Sequence, residues 1–191
     1  PKDIPWESID IQKEDDRSLV RNQLESLSAT EDAAAFRIFA KRLMRLNNVS
    51  KDTLLRYEIQ LGLTESYLGS YQFDSALAVI SSLTSFLEKG TFRKELGTAF
   101  YRKSIAHYAL GNYEDALELI FKSIELSEGS EDPAQLSKSY MQLGNIYYFL
   151  RSFNDAEEFY LKGKKYFSQA QDHYGVASCN SNLGLIATQK G

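Results

Sequence analysis

A chain of 191 residues with 43% apolar content can bury a continuous core, and a formal charge of −4 disfavours nonspecific nucleic-acid binding, which needs a basic surface to displace counterions. No stretch approaches the length of a transmembrane helix, so no membrane segment is expected in this chain. Only 3 prolines occur, two of them among the first five residues, which leaves the rest free to be helical.

In chain order, residues 1–16 read as an acidic, aperiodic leader whose apolar residues Ile4, Trp6, Ile9 and Ile11 either stay loose or dock as a cap, docking being preferred. Residues 17–49 read as a terminal helical hairpin. Its first helix carries Leu19, Val20, Leu24 and Leu27. The second, with Thr30 as N-cap, carries Ala35, Phe36, Phe39, Ala40, Leu43, Met44 and Leu46 at helical spacing. Residues 50–191 read as helix pairs over about 52–68 with 73–87, 92–109 with 113–126, and 133–150 with 153–170, followed by a final helix over about 174–189. Ser50 is the expected N-cap of the first of these. Asp132-Pro133-Ala134-Gln135 supplies an N-cap acceptor, a proline at the first helical position and a glutamine placed to close a capping box.

The pairs repeat. Residues 69–77 (GSYQFDSAL), 110–117 (LGNYEDAL) and 150–157 (LRSFNDAE) bring Ala76, Ala116 and Ala156 into one register, so the period is 116 − 76 = 156 − 116 = 40. Twelve residues before each alanine stand Thr64, Ser104 and Gly144; nine before stand Tyr67, His107 and Tyr147; and the lattice continues to Gly184 and Ala187. Small residues at those positions let paired helices approach to roughly 8–10 Å, and Tyr67, Tyr147, Phe73, Tyr113 and Phe153 are expected to fill the spaces between layers. Phe36 stands forty residues before Ala76, which makes the 17–49 pair a degenerate terminal unit.

With a small residue and an aromatic on the first helix and an alanine on the second, the chain resembles the tetratricopeptide repeat family over residues 51–191, most closely at Gly144, Tyr147, Phe153 and Ala156. The resemblance implies an all-α, right-handed superhelical solenoid of antiparallel helical hairpins, with three full repeats and the first helix of a fourth. On that reading the natural protein continues beyond Gly191, because the last helix lacks its partner and would expose Leu183, Leu185 and Ile186. The forty-residue units are similar to those of bacterial regulatory and sensor proteins, in which the array is joined to an output domain.

In the family the first helix of each unit lines a concave groove. Carried over, those positions are Thr98, Tyr101, Arg102, Ile105 and Tyr108, then Lys138, Met141, Gln142, Asn145 and Tyr148, then Ser178, Ser181, Asn182 and Leu185. The groove set implied is Tyr101, Arg102, Tyr108, Lys138, Gln142, Asn145, Tyr148 and Asn182: amides for a peptide backbone, aromatics for apolar side chains, cations for carboxylates. A carboxylate clamp of the chaperone-reading type is not supported, since Met141 stands where a lysine is required.

No catalytic pattern competes with this. The sequence has no H-E-x-x-H, no G-x-S-x-G and no phosphate loop at Gly163-Lys164, and His107 and Cys179 read as core residues. The chain is read as a noncatalytic module without cofactor or metal. The alternative is a scaffold that self-associates through the terminal helix. Two basic clusters, Arg37, Lys41, Arg42 and Arg45, and Lys162, Lys164 and Lys165, read as solvated faces; neither has the interleaved aromatics of a nucleic-acid platform. A single cysteine permits no internal disulfide, which fits the cytoplasm as the preferred compartment and a periplasmic domain of a bacterial regulator as the other.

Overall fold

The computed structural model describes residues 9–29, 32–46, 49, 51–128 and 133–190. Among these, nine helices are delimited and no strand occurs: α1 (Glu14–Ala29), α2 (Ala33–Met44), α3 (Thr53–Gly69), α4 (Phe73–Leu87), α5 (Arg93–Ala109), α6 (Tyr113–Ser127), α7 (Pro133–Phe149), α8 (Phe153–Gln169) and α9 (His173–Lys190). The chain divides into two compact units, Pro1–Leu83 and Thr84–Gly191, with the boundary inside α4.

In the N-terminal unit, helix α1 begins at Glu14, three residues before the expected Arg17. Glu14, Asp15 and Asp16 crowd its first turn, where carboxylates favour the positive end of the helix dipole. The preceding residues dock: Ile9 and Ile11 are buried in one core with Val20, Phe36, Ala40 and Leu43. Two polar ties hold them there, Asp10 N to Asp16 Oδ2 at 2.8 Å and Arg17 Nε to the Ile11 carbonyl at 3.1 Å. Ile4 and Trp6 lie outside the described residues. The caps differ from those expected. Asp32 caps α2 by accepting from Ala35 N at 2.9 Å, and Asp52 caps α3 by accepting from Leu55 N at the same distance. Thr30 and Ser50, the expected caps, lie outside the described residues; a carboxylate is a strong N-cap acceptor for the free amides of a first turn. Arg37 and Lys41 are not merely solvated. Both stand over the Tyr67 ring, at 5.4 and 5.5 Å from its centroid, and Arg37 Nη1 donates to Ser66 Oγ at 3.1 Å and Ser70 Oγ at 3.0 Å.

In the C-terminal unit, α5 packs with α6, α7 with both α6 and α8, and α9 on α8. Three-residue turns join α5 to α6 and α7 to α8, which makes each pair an antiparallel hairpin. Ala116 and Ala156 are fully buried, and Ser104 donates to the Ala116 carbonyl at 2.9 Å, as close approach at that register requires. A second crossing was not anticipated. A Cβ on Gly97 would lie 3.7 Å from the Ser123 carbonyl, and one on Gly163 would lie 3.3 Å from the Ser137 carbonyl and 3.2 Å from Met141 N. These are one lattice pair with roles exchanged, since 97 + 40 = 137 and 123 + 40 = 163.

The turns share one backbone device. Tyr71, Gly111 and Arg151 adopt φ of 58°, 79° and 62°, again at a period of 40. The next amide in each case reaches back to the carbonyl five residues earlier: Gln72 to Tyr67, Asn112 to His107 and Ser152 to Tyr147, all at 2.9 Å. Asp132 lies outside the described residues. Gln135 bridges helices, its Nε2 donating to Ser139 Oγ at 3.2 Å on its own helix and to Ser123 Oγ at 3.4 Å on α6. Ile186, expected on an exposed face, is 1% exposed against Ala156 and Tyr160, and Leu183 is partly buried; Leu185 alone of the three projects, at 52%.

Candidate functional site

The residues expected to line a groove lie on α5, α7 and α9 of the C-terminal unit, which places them in one body. Their depths differ. Tyr101 and Gln142 are buried, at 7% and 5% exposure, and so form the bed of any groove and not its surface. Lys138 is exposed, while Arg102, Tyr108, Asn145, Tyr148 and Asn182 are half-buried. Arg102 lies 5.2 Å from the Tyr101 ring centroid.

The amides form a chain across two helices. Asn145 Nδ2 donates to Gln142 Oε1 at 3.3 Å, and Asn182 Nδ2 on α9 donates to Asn145 Oδ1 at 3.4 Å. The same Oδ1 accepts from the Tyr160 hydroxyl at 2.8 Å. Asn145 is therefore held in one orientation, with a second Nδ2 hydrogen left over. Gln142 Nε2 is buried and meets no acceptor in the described structure. Tyr160 was missed by sequence reasoning because it lies on α8, outside the helices assigned to the groove; the signal was its place four residues after Ala156, one helical turn along the same face. Burial pushes its phenol well above the ordinary tyrosine range, so it stays a neutral donor.

The aromatic members meet through a residue that was also missed. Phe149, 57% exposed, stands 5.2 Å from Tyr108 and 6.1 Å from Tyr148, ring centre to ring centre. Tyr113 closes the cluster on Phe149 at 6.1 Å, and burial, then Tyr113, pushes the Tyr108 phenol up to about 12. His107 sits beside this cluster in sequence but serves packing. Its Nδ1 lies 3.4 Å from Asp115 Oδ2, within ion-pair reach when protonated but without hydrogen-bond geometry. Burial lowers its pKa, with Asp115 opposing. Cys179 is buried and its thiol is pushed up to about 11 by burial, Lys164 opposing, which leaves it a poor nucleophile. Among the described residues no group of three or more His, Cys, Asp or Glu could hold a metal ion, and no helix is long and apolar enough to cross a membrane.

Over 88% of its length the structure superposes, with a TM-score of 0.75, on a signal-transduction ATPase from Pyrococcus horikoshii that carries a tetratricopeptide repeat sensor, at 14% identity and over 26% of that chain. This is the tetratricopeptide-repeat fold. A second tetratricopeptide-like likeness is to aspartyl phosphate phosphatase F from Bacillus subtilis, with a TM-score of 0.77 at 17% identity, covering 88% of this chain and 44% of that one. In sequence, 150 residues are 24% identical to tetratricopeptide repeat protein 29 of Macaca fascicularis, 76% of this chain and 30% of the relative. The chain thus spans less than half of each of these proteins. No family model matches it.

Proposed function

We propose that the chain is a noncatalytic protein- or peptide-binding module and the ligand- or partner-sensing part of a larger regulatory protein. The observation that carries this reading is the amide chain from Gln142 through Asn145 to Asn182, oriented by Tyr160 and flanked by Arg102, Lys138, Tyr108 and Tyr148. Such a surface can bond an extended backbone through Asn145 and Asn182, seat apolar side chains against Tyr108 and Tyr148, and attract carboxylates to Arg102 and Lys138. The sensor named in the Pyrococcus protein supports the regulatory half of the reading.

The test is capture from lysate by the chain beside its Arg102→Ala/Asn145→Ala variant, both checked for equal helicity. A partner retained only by the unmutated chain is the expected result; capture indifferent to both substitutions would sink the groove. Noncatalysis is tested against the activity that the Bacillus protein's name states: no acyl-phosphate hydrolysis is expected, and turnover abolished by changing His107 or Cys179 would overturn it. A second reading, assembly through α9, draws on the 52% exposure of Leu185 and 85% of Tyr174. It predicts a concentration-dependent dimer in sedimentation that Leu185→Lys dissolves.

A further inference from the structure

Four residues of α7 make one stripe. Lys138, Gln142, Asn145 and Phe149 stand at i, i+4, i+7 and i+11, one face of the helix. Their depths describe a trough: Lys138 is exposed, Gln142 buried, Asn145 half-buried and Phe149 57% exposed. Helices α5 and α9 both touch α7 and flank it. Thr98 Oγ1 donates to Gln135 Oε1 at 3.4 Å near one end of α5, and Tyr108 meets the Phe149 ring near the other, so α5 runs parallel to α7. Asn182 of α9 reaches Asn145 from its own side.

The chemistry changes along the stripe. At one end stands the Lys138 ammonium, with no ion-pair partner among the described residues. In the middle Asn145 has its Oδ1 engaged by Tyr160 and Asn182 and one Nδ2 hydrogen by Gln142, which leaves the second hydrogen to donate. An extended backbone offers a free carbonyl for it, whereas the carbonyls of a helix are engaged within the helix. At the other end the Tyr108, Tyr113 and Phe149 rings present apolar surface. We propose that the ligand of this groove is a polarised segment, an extended peptide carrying an aspartate or glutamate four residues from a phenylalanine or leucine. The proposal rests on the peptide-binding reading above and adds the order and spacing of the contacts. Lys138 and Phe149 are 149 − 138 = 11 residues apart, about 16 Å along the axis at about 1.5 Å per residue. Side chains four apart on an extended chain share a face and lie about 13 Å apart, and the flexible Lys138 stem spans the difference. Asn145 precedes Phe149 by four residues, about 6 Å, so it bonds the peptide backbone midway between the two anchors.

The test titrates the whole chain, followed by NMR of its backbone and side-chain amides, with five capped heptapeptides. Gly-Asp-Ser-Thr-Ser-Phe-Gly and Gly-Phe-Ser-Thr-Ser-Asp-Gly carry the spacing in the two chain directions. Gly-Ser-Asp-Phe-Ser-Thr-Gly puts the anchors on opposite faces, while Gly-Lys-Ser-Thr-Ser-Phe-Gly and Gly-Asp-Ser-Thr-Ser-Ser-Gly each replace one anchor. At least one of the first two is expected to shift the Asn145 side-chain amide and to bind about fivefold or more tighter than the other three. Lys138 and Phe149 are exposed, so Lys138→Glu and Phe149→Ala leave the fold intact by circular dichroism. Lys138→Glu transfers the preference to the lysine peptide, and Phe149→Ala removes the distinction between phenylalanine and serine. Equal affinity for all five peptides, or a preference that survives both substitutions, would overturn the polarity and leave a peptide groove standing. Binding of none of them, beside lysate capture that still depends on Arg102 and Asn145, would overturn the polarity alone; loss of that capture as well removes the groove itself.

Discussion

Replacing Tyr160 by phenylalanine and Asn145 by alanine, singly and together, measures how firmly the amide chain is built. Tyr160 is 2% exposed and its hydroxyl donates to Asn145 Oδ1 at 2.8 Å. Tyr160→Phe removes the donor but leaves Asn145 Oδ1 bonded to Asn182, so its cost should be about 1 kcal/mol. Asn145→Ala strands a buried hydroxyl and removes the bonds to Asn182 and Gln142, so it should cost about 2–3 kcal/mol. In the double variant no hydroxyl is stranded, and its cost should fall short of the sum by about 1 kcal/mol. Urea denaturation followed by far-ultraviolet circular dichroism reads all four proteins. Additivity within about 0.5 kcal/mol, or Asn145→Ala cheaper than Tyr160→Phe, would refute a coupled, preorganised amide.

Gly163→Val should destabilise by about 1–3 kcal/mol, because the new side chain meets the backbone of α7 at Ser137 and Met141; a melting temperature equal to that of the parent would show that the crossing is slack. Arg151→Gly should stabilise and Gly111→Ala destabilise, each by about 1 kcal/mol, since both residues hold a positive φ; both are read in the same thermal assay, and equal signs would refute the turn geometry. His107 has a folded pKa lowered by burial, so the unfolded chain takes up its proton first. Its stabilising contribution is complete above the unfolded pKa of about 6.5 and is lost as pH falls below that through the folded value. His107→Tyr, which restores the residue type of Tyr67 and Tyr147, should flatten that acid limb of the stability profile; an unchanged slope would exonerate His107.

The helix spans of the repeats were legible because apolar spacing and turn residues are local signals, and the forty-residue lattice tied them together. Ala116, Ala156 and Ser104 needed no coordinates, since a crossing that admits only small side chains leaves its mark on residue type. The Gly97–Ser123 and Ser137–Gly163 pair obeys the same period, yet glycine and serine exchange places between units, and no one column of the lattice displays it. Nor could sequence separate the groove residues by depth: Tyr101, Arg102, Gln142 and Asn145 share one helix-face pattern, and only the neighbouring helices decide that Tyr101 and Gln142 are covered. Sequence by itself determined what the chain says locally, namely where helices start, turn and repeat. The tertiary structure alone decided that Ile186 is buried and that Tyr160 holds Asn145, because each depends on side chains far apart in the chain competing for the same space.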